Sequence, residues 1–115
     1  MSEAFLIRAL ADCAELVGVG VYGSIPGTRP ERFVTVERTG GQVTGLVDYP
    51  SFAVQCWGES RAEAAALASR ATQALQSLVS YPQVASISVD ALYNFPDPDS
   101  RQARYQLTVS AVIML

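Results

Sequence analysis

Asp48-Tyr49-Pro50-Ser51-Phe52-Ala53-Val54-Gln55-Cys56-Trp57-Gly58-Glu59-Ser60-Arg61-Ala62-Glu63 opens the stretch that decides the fold, and it runs on to Val79. Pro50 and Ser51 read as a turn. The six residues Phe52–Trp57 are aromatic, small or β-branched and read as a strand. Strand alternation puts Phe52, Val54 and Cys56 on one face and Ala53, Gln55 and Trp57 on the other. Ser60-Arg61-Ala62-Glu63 fits a capping box, with the Ser60 hydroxyl accepting from the Glu63 amide and the Glu63 carboxylate reaching back to the Ser60 amide. Behind it, Ala64, Leu67, Ala68, Ala71, Leu75 and Leu78 fall on one helical stripe, opposite Ser69, Arg70, Gln73 and Gln76. Pro82 cannot continue a helix and pushes Tyr81 out of helical angles, so the helix ends near Val79. Alanine on the packing face lets the helix lie close to the sheet it covers.

Composition removes many functions. The chain has 115 residues, enough for one domain spanning 1–115 that buries about two-thirds of its unfolded surface. It has no histidine and no lysine, since all 8 basic residues are arginines. That excludes a histidine base, histidine metal ligands and a lysine Schiff base. A net charge of -3 gives no electrostatic footprint for duplex DNA or anionic membranes. The apolar runs are too short to span a bilayer, and Met1-Ser2-Glu3 lacks a basic n-region. The cysteines, Cys13 and Cys56, sit in apolar helix and strand patterns and read as buried free thiols more readily than as a disulfide or redox pair.

From the start of the chain, Ser2 is placed to cap a first helix whose stripe is Leu6, Leu10, Cys13, Ala14 and Val17. Val17–Tyr22 then resembles a strand. Its glycines, Gly18-x-Gly20-x-x-Gly23, superficially suggest a phosphate loop, but prolines Pro26 and Pro30 follow where a helix would have to begin. Gly23–Glu31 is a loop. Arg32–Arg38 reads as a strand, and Thr39-Gly40-Gly41-Gln42 as a turn, with Val43–Val47 irregular or a short extension. That strand and the one at Phe52 are expected to form an antiparallel hairpin with a connection of about a dozen residues. Glu37, Arg38 and Arg32 read as a solvated strand face, with partner contact the sharper alternative. Val84–Asp90 alternates as a half-buried strand. Leu92–Ser100 reads as a rigid exposed loop in which Asp97 and Asp99 form turns, since no glycine and no closing glutamate complete a calcium loop. Ala103–Leu115 is the longest strand pattern and belongs at or near the sheet centre.

In order, Phe33-Val34-Thr35-Val36-Glu37-Arg38-Thr39-Gly40-Gly41, Leu46-Val47-Asp48, Val54-Gln55-Cys56-Trp57-Gly58, the alanine-rich helix, Tyr93-Asn94-Phe95-Pro96-Asp97-Pro98-Asp99-Ser100 and Arg104-Tyr105-Gln106-Leu107-Thr108-Val109 resemble the tail terminator (tail completion) proteins of long-tailed bacteriophages, from about Arg32 to Val112. They look most like versions from phages of high-GC Gram-positive hosts. No single piece is a catalytic-grade motif; the specificity lies in the ordered combination. The resemblance implies a structural α+β subunit, a small, mainly antiparallel sheet of four to five strands with an N-terminal helix and one long central helix packed on it. It also implies a homo-oligomeric, hexameric ring that caps the tail tube, ends tail polymerisation and provides the head-tail joining surface.

The implied partners are the subunit itself, the major tail tube protein and the head-tail connector protein, with no membrane and no sequence-specific nucleic acid, although genome DNA passes through such a ring. The implied location is the head-proximal end of the tail in the virion, and the host cytoplasm during assembly. The resemblance carries over no catalytic residues, no cofactor and no metal. Charged residues on the two long loops, Arg38, Asp97, Asp99 and Arg101, are the candidates for contact with a neighbouring subunit or the tail tube. The alternative is a small α+β ligand-binding or regulatory module, whose strand and helix alternation would look much the same. An enzyme is the weakest reading, because no base–nucleophile pair stands out and fold alone does not specify function.

Overall fold

The strand and helix around Ser60 form the middle of an α+β structure, described over residues 2–115 of a computed structural model. The order is α1 (Ser2–Ala11), a 3-10 turn at Ala14–Leu16, β1 (Gly20–Tyr22), β2 (Phe33–Val43), β3 (Val47–Gly58), α2 (Arg61–Ser77), a second 3-10 turn at Leu78–Ser80, β4 (Val84–Asn94) and β5 (Ala103–Met114). The five strands form one sheet in the order β1-β2-β3-β5-β4. Every neighbouring pair is antiparallel except β1 with β2, so the sheet is mixed but mostly antiparallel. The C-terminal strand sits one place in from the edge, as its long alternating pattern predicts.

The predicted stripe of α2 is the stripe that is buried: Ala64, Leu67, Ala68, Ala71, Leu75 and Leu78 are all covered, joined by Ala74. They pack on Val34, Val36, Phe52, Val54, Cys56, Leu107 and Val109, with Leu6, Leu10 and Leu16 closing the layer. The close approach extends to the start of the helix. A Cβ on Gly58 would stand 2.8 Å from the Ala64 amide nitrogen, so the last residue of β3 admits no side chain there. The cap is half of the expected box. The Glu63 amide donates to Ser60 Oγ at 3.2 Å, but the Glu63 carboxylate takes the Ser60 hydroxyl, not its backbone amide. Leu75 is fully buried, and Leu75→Ala should cost about 2–5 kcal/mol in urea unfolding. A change near half a kcal/mol, typical of a surface site, would mean the stripe does not carry the packing.

Three expectations change. First, the hairpin connection is short. β2 runs through Thr39–Gln42 to Val43 and β3 begins at Val47, leaving Thr44–Leu46 as the turn. Thr44 builds that turn, its hydroxyl accepting from the Val47 amide at 2.9 Å. The irregularity in the strand falls at Thr39, between Arg38 and Gly40, while Gly40 and Gly41 pair with Ser51 and Pro50; Gly41 stands at φ +111, where an added Cβ would meet the Tyr49 carbonyl oxygen. Pro50 is not in a turn but in β3, opposite Gly41 of β2, at a point where the ladder to β5 has no partners between Asp48 and Ser51, the kind of gap at which a strand tolerates proline.

Second, α1 stops at Ala11. The chain then turns through Ala14–Leu16, which buries Leu16 and leaves Val17 73% exposed, off the expected stripe. Ser2 lies inside α1, and its hydroxyl donates to the Asp48 carboxylate. Third, β1 is only Gly20–Tyr22, and β4 continues to Asn94, through the first part of the expected loop.

Candidate subunit interface

The helices cover one face of the sheet; the other is open and carries a hydrogen-bonded row of neutral side chains. Register places Thr35 opposite Gln55, Gln55 opposite Gln106 and Gln106 opposite Tyr93. Gln55 Nε2 donates to Gln106 Oε1 at 2.8 Å, and Gln106 Nε2 donates to the Tyr93 hydroxyl at 2.7 Å. The Thr35 hydroxyl donates to Gln55 Oε1 at 3.3 Å and accepts from Trp57 Nε1 at 3.1 Å. The row crosses four strands and fixes the amide orientations on a surface that would otherwise be adaptable. Nearer the hairpin end, Ser88 and Ser110 donate to the two Asp90 carboxylate oxygens at 2.6 and 2.7 Å, which holds that carboxyl below its usual range.

At the far end of the same face the next row is aromatic and cationic. Phe33 and Trp57 stack at 5.2 Å and 9°. The Arg104 guanidinium lies 5.1 Å from the Trp57 ring and 4.4 Å from the Phe95 ring, and Arg29 covers Trp57 at 5.4 Å. Trp57 is thereby fully buried although it points away from the helices. Arg104 Nε also donates to the Phe95 carbonyl at 2.7 Å, which ties the loop at 95–102 to the sheet end.

The four charged candidates fall in two separate places. Arg38 lies within β2 and makes a bidentate contact with Asp48 of the same chain, Nη1–Oδ2 2.7 Å and Nη2–Oδ1 2.8 Å. Asp97 turns inward: it accepts from the Ser100 hydroxyl at 2.8 Å and the Asp99 amide at 3.1 Å, and lies 3.6 Å from Arg29. The Ser100 hydrogen bond, ahead of the Asp99 amide, holds the Asp97 carboxyl below the ordinary range. Asp99 and Arg101 are exposed and form no ion pair among the described residues. The structure therefore brings Asp97, Asp99 and Arg101 together in one loop and leaves Arg38 apart on the hairpin.

A third surface lies at the hairpin tip. No charged residue occurs from Thr39 to Val47. Val43, Leu46, Met114 and Leu115 are each 46–75% exposed there, and Leu115 donates its amide to the Leu46 carbonyl at 2.9 Å. The sequence patterns did not mark this patch, because its members come from a turn and a chain end that only the β3–β5 pairing brings together.

Burial pushes the Cys56 thiol up to about 12, far from a reactive thiolate. No group of three or more potential metal-ligating side chains occurs among the described residues. Among the described residues, a surface cleft of about 270 Å³ lies between α1 and the end of β5, and another of about 230 Å³ lies beside Thr35 and Gln55. Both fall under the ~300–1,000 Å³ usual for a ligand pocket.

Comparison with known proteins gives this arrangement a context. The family described as tail completion protein gp17 matches residues 6–114. Among solved structures, a chain in the structure titled "Virion of native gene transfer agent (GTA) particle" superimposes with a TM-score of 0.70 at 17% identity, covering 94% of this chain and 90% of that chain. At that identity the likeness is one of fold. A comparison with curated protein sequences finds no match.

Proposed function

The chain belongs to the tail completion protein gp17 family, a structural and non-enzymatic one, and from that premise we propose that it caps and closes a phage-type tail. In this reading six copies form a ring on the last ring of the tail tube. The ring ends polymerisation, offers its outer face to the head-tail connector and leaves an opening for genome DNA. It belongs to the head-proximal end of the tail in the virion and forms in the host cytoplasm. The observation that carries the proposal is the family match over nearly the whole chain.

The physical logic supports it. A tube grows by head-to-tail stacking, a heterologous contact that does not close on itself. Ending it takes a subunit that binds the growing end and shows a different surface outward, which is a task for shape and complementary surfaces and needs no chemistry. Asp99 and Arg101, which form no ion pair among the described residues, are the loop charges proposed to meet a neighbouring subunit or the tube. Arg38 and Asp97 contribute by holding the hairpin and the loop in shape for that contact. Exposed pairs of this kind set register and encounter rate more than affinity.

Electron microscopy of particles assembled without the protein tests the role. The expected result is heads unattached to tails, with many tails overlong. Tails of normal length already joined to full heads would remove the terminator role.

A further inference from the structure

The two sides of the sheet are left open in complementary ways. On one side β4 has no outer strand neighbour along Val84–Asn94 among the described residues. Natural sheets protect such an edge with lysine, proline, a bulge or an inward charge, and the two register shifts of β4 confine its open regular stretch to a short run. β4 has no lysine and no proline, and its one charge, Asp90, is held on the sheet face by Ser88 and Ser110. Register shifts between Val84 and Ser86 and between Val89 and Ala91 bound a regular run, Ser86–Val89.

On the other side β1 covers β2 only at Phe33–Thr35. Beyond it the Arg38 amide is taken by the Glu3 carboxylate of α1 at 2.9 Å. That leaves Gly40–Val43 as an edge with no neighbouring strand and no charged residue of its own among the described residues, the Gly40 carbonyl accepting from Arg38 Nε at 3.1 Å. The hairpin register sets Gln42 opposite Tyr49 and Gly40 opposite Ser51, while Ser51 faces Ser110 and Ser110 faces Ser88. Gly40 and Gln42 therefore lie at about the same heights along the strands as Ser88 and Ser86, within the run Ser86–Val89.

Resting on the ring reading above, we infer that the Ser86–Val89 edge of one subunit pairs with the Gly40–Val43 edge of the next, joining their sheets around the ring. Strand polarity favours this occupant. β4 runs opposite to β2 within the sheet, so two subunits standing the same way up, as rotation about a ring axis requires, present an antiparallel pair. The two edges are different segments on opposite sides of the subunit, so the contact is heterologous and passes from copy to copy until it closes. Neither run carries a charge to oppose its partner. Strand addition of this kind draws its affinity from main-chain hydrogen bonds, which the uncharged side chains of both runs leave available.

The test is disulfide trapping in a Cys13→Ser background, with Cys56 left in the core. Gln42→Cys and Ser86→Cys are made singly and together, and oxidised protein is run on non-reducing gels beside light scattering and electron microscopy of the same samples. The double variant should give a ladder that ends at the full ring, a mixture of the two single variants should give dimers only, and either single variant alone should stay monomeric on the gel. Gly40→Cys with Ser88→Cys, two residues along the same face, repeats the test if the first pair hinders assembly. Rings visible by microscopy with no ladder from either pair would overturn the edge pairing and leave the ring standing. Monomers by light scattering and bare tube ends by microscopy would overturn the ring itself and the pairing with it. Dimers from Ser86→Cys alone would show two β4 edges facing each other, which is an isologous contact and incompatible with both.

Discussion

Trp57→Ala should destabilise the fold by about 3–5 kcal/mol, the range for removing a buried aromatic ring. Trp57 is fully buried, yet it lies outside the helix-covered core. Its burial is made by Phe33 stacked at 5.2 Å, by Arg29 and Arg104 over its ring, and by the Thr35 hydroxyl taking its indole N–H. Deleting the indole opens a cavity and exposes the facing side of Phe33. It also removes two cation–π contacts, each worth about 0.5–2 kcal/mol. Arg104 would lose one side of its sandwich, so the loop at 95–102 that it anchors through the Phe95 carbonyl should loosen as well. Urea unfolding followed by circular dichroism measures the first effect, and amide exchange over residues 95–102 the second. Trp57→Phe, which keeps a ring but gives up the N–H to Thr35, should lose distinctly less. A Trp57→Ala protein as stable as the parent would mean that this end of the sheet is held by other contacts.

That environment marks the limit of what the sequence tells. Alternation put Trp57 with Ala53 and Gln55 on the face opposite Phe52, Val54 and Cys56, but did not say which face the helix covers or what meets the indole. What buries it is register: Phe33, Trp57 and Arg104 come from three strands and meet only when β2, β3 and β5 pair as they do. The α2 stripe needs no such information, because a 3.6-residue period and a serine cap are local, and all six predicted stripe residues are in the core. The β2–β3 hairpin failed for a related reason. Thr39-Gly40-Gly41-Gln42 and Pro50-Ser51 carry turn chemistry, but Gly41, at φ +111, pairs with Pro50 inside the hairpin ladder beside the irregularity at Thr39, and Pro50 sits at a gap in the ladder to β5. Strong local turn signals were outweighed by pairing on both sides of β3. The charged candidates show the same division. Composition and loop position pick out Asp97, Asp99, Arg101 and Arg38. Only the structure separates Asp99 and Arg101 from Arg38 and Asp97, whose charges are engaged within the chain.

That engagement makes Arg38→Ala the second large effect, with an expected loss of about 3–5 kcal/mol near neutral pH, the range for removing one partner of a buried pair. The value should fall at the lower end, because Arg38 keeps 24% of its side chain exposed while Asp48 keeps 1%. Asp48 joins three elements: it lies in β3, takes both guanidinium nitrogens of Arg38 from β2, and accepts the Ser2 hydroxyl from α1. The Arg38 hydrogen bonds, ahead of the opposing cost of burial, hold the Asp48 carboxyl below its ordinary value. The sign follows from linkage. A depressed carboxyl contributes stability above the unfolded value of ~3.9 and loses it as pH falls through the lower folded value. Asp48 also raises Arg38, whose contribution is present at every pH below the arginine range and so adds no slope in acid.

Without Arg38 the buried carboxylate has no cation, and burial then pushes its pKa upward. The variant is thus penalised most when Asp48 is ionised and least when it is protonated. The stability gap between parent and Arg38→Ala should be widest near pH 7 and shrink as pH falls through about 4. Asp48→Asn added to Arg38→Ala removes the uncompensated charge and should recover part of the loss at neutral pH while flattening the pH dependence. Chemical denaturation from pH 3 to 8 on the three proteins measures this. A gap that stays constant with pH would show that Arg38 acts through packing alone, and that the charge pair does not tie α1 to the hairpin.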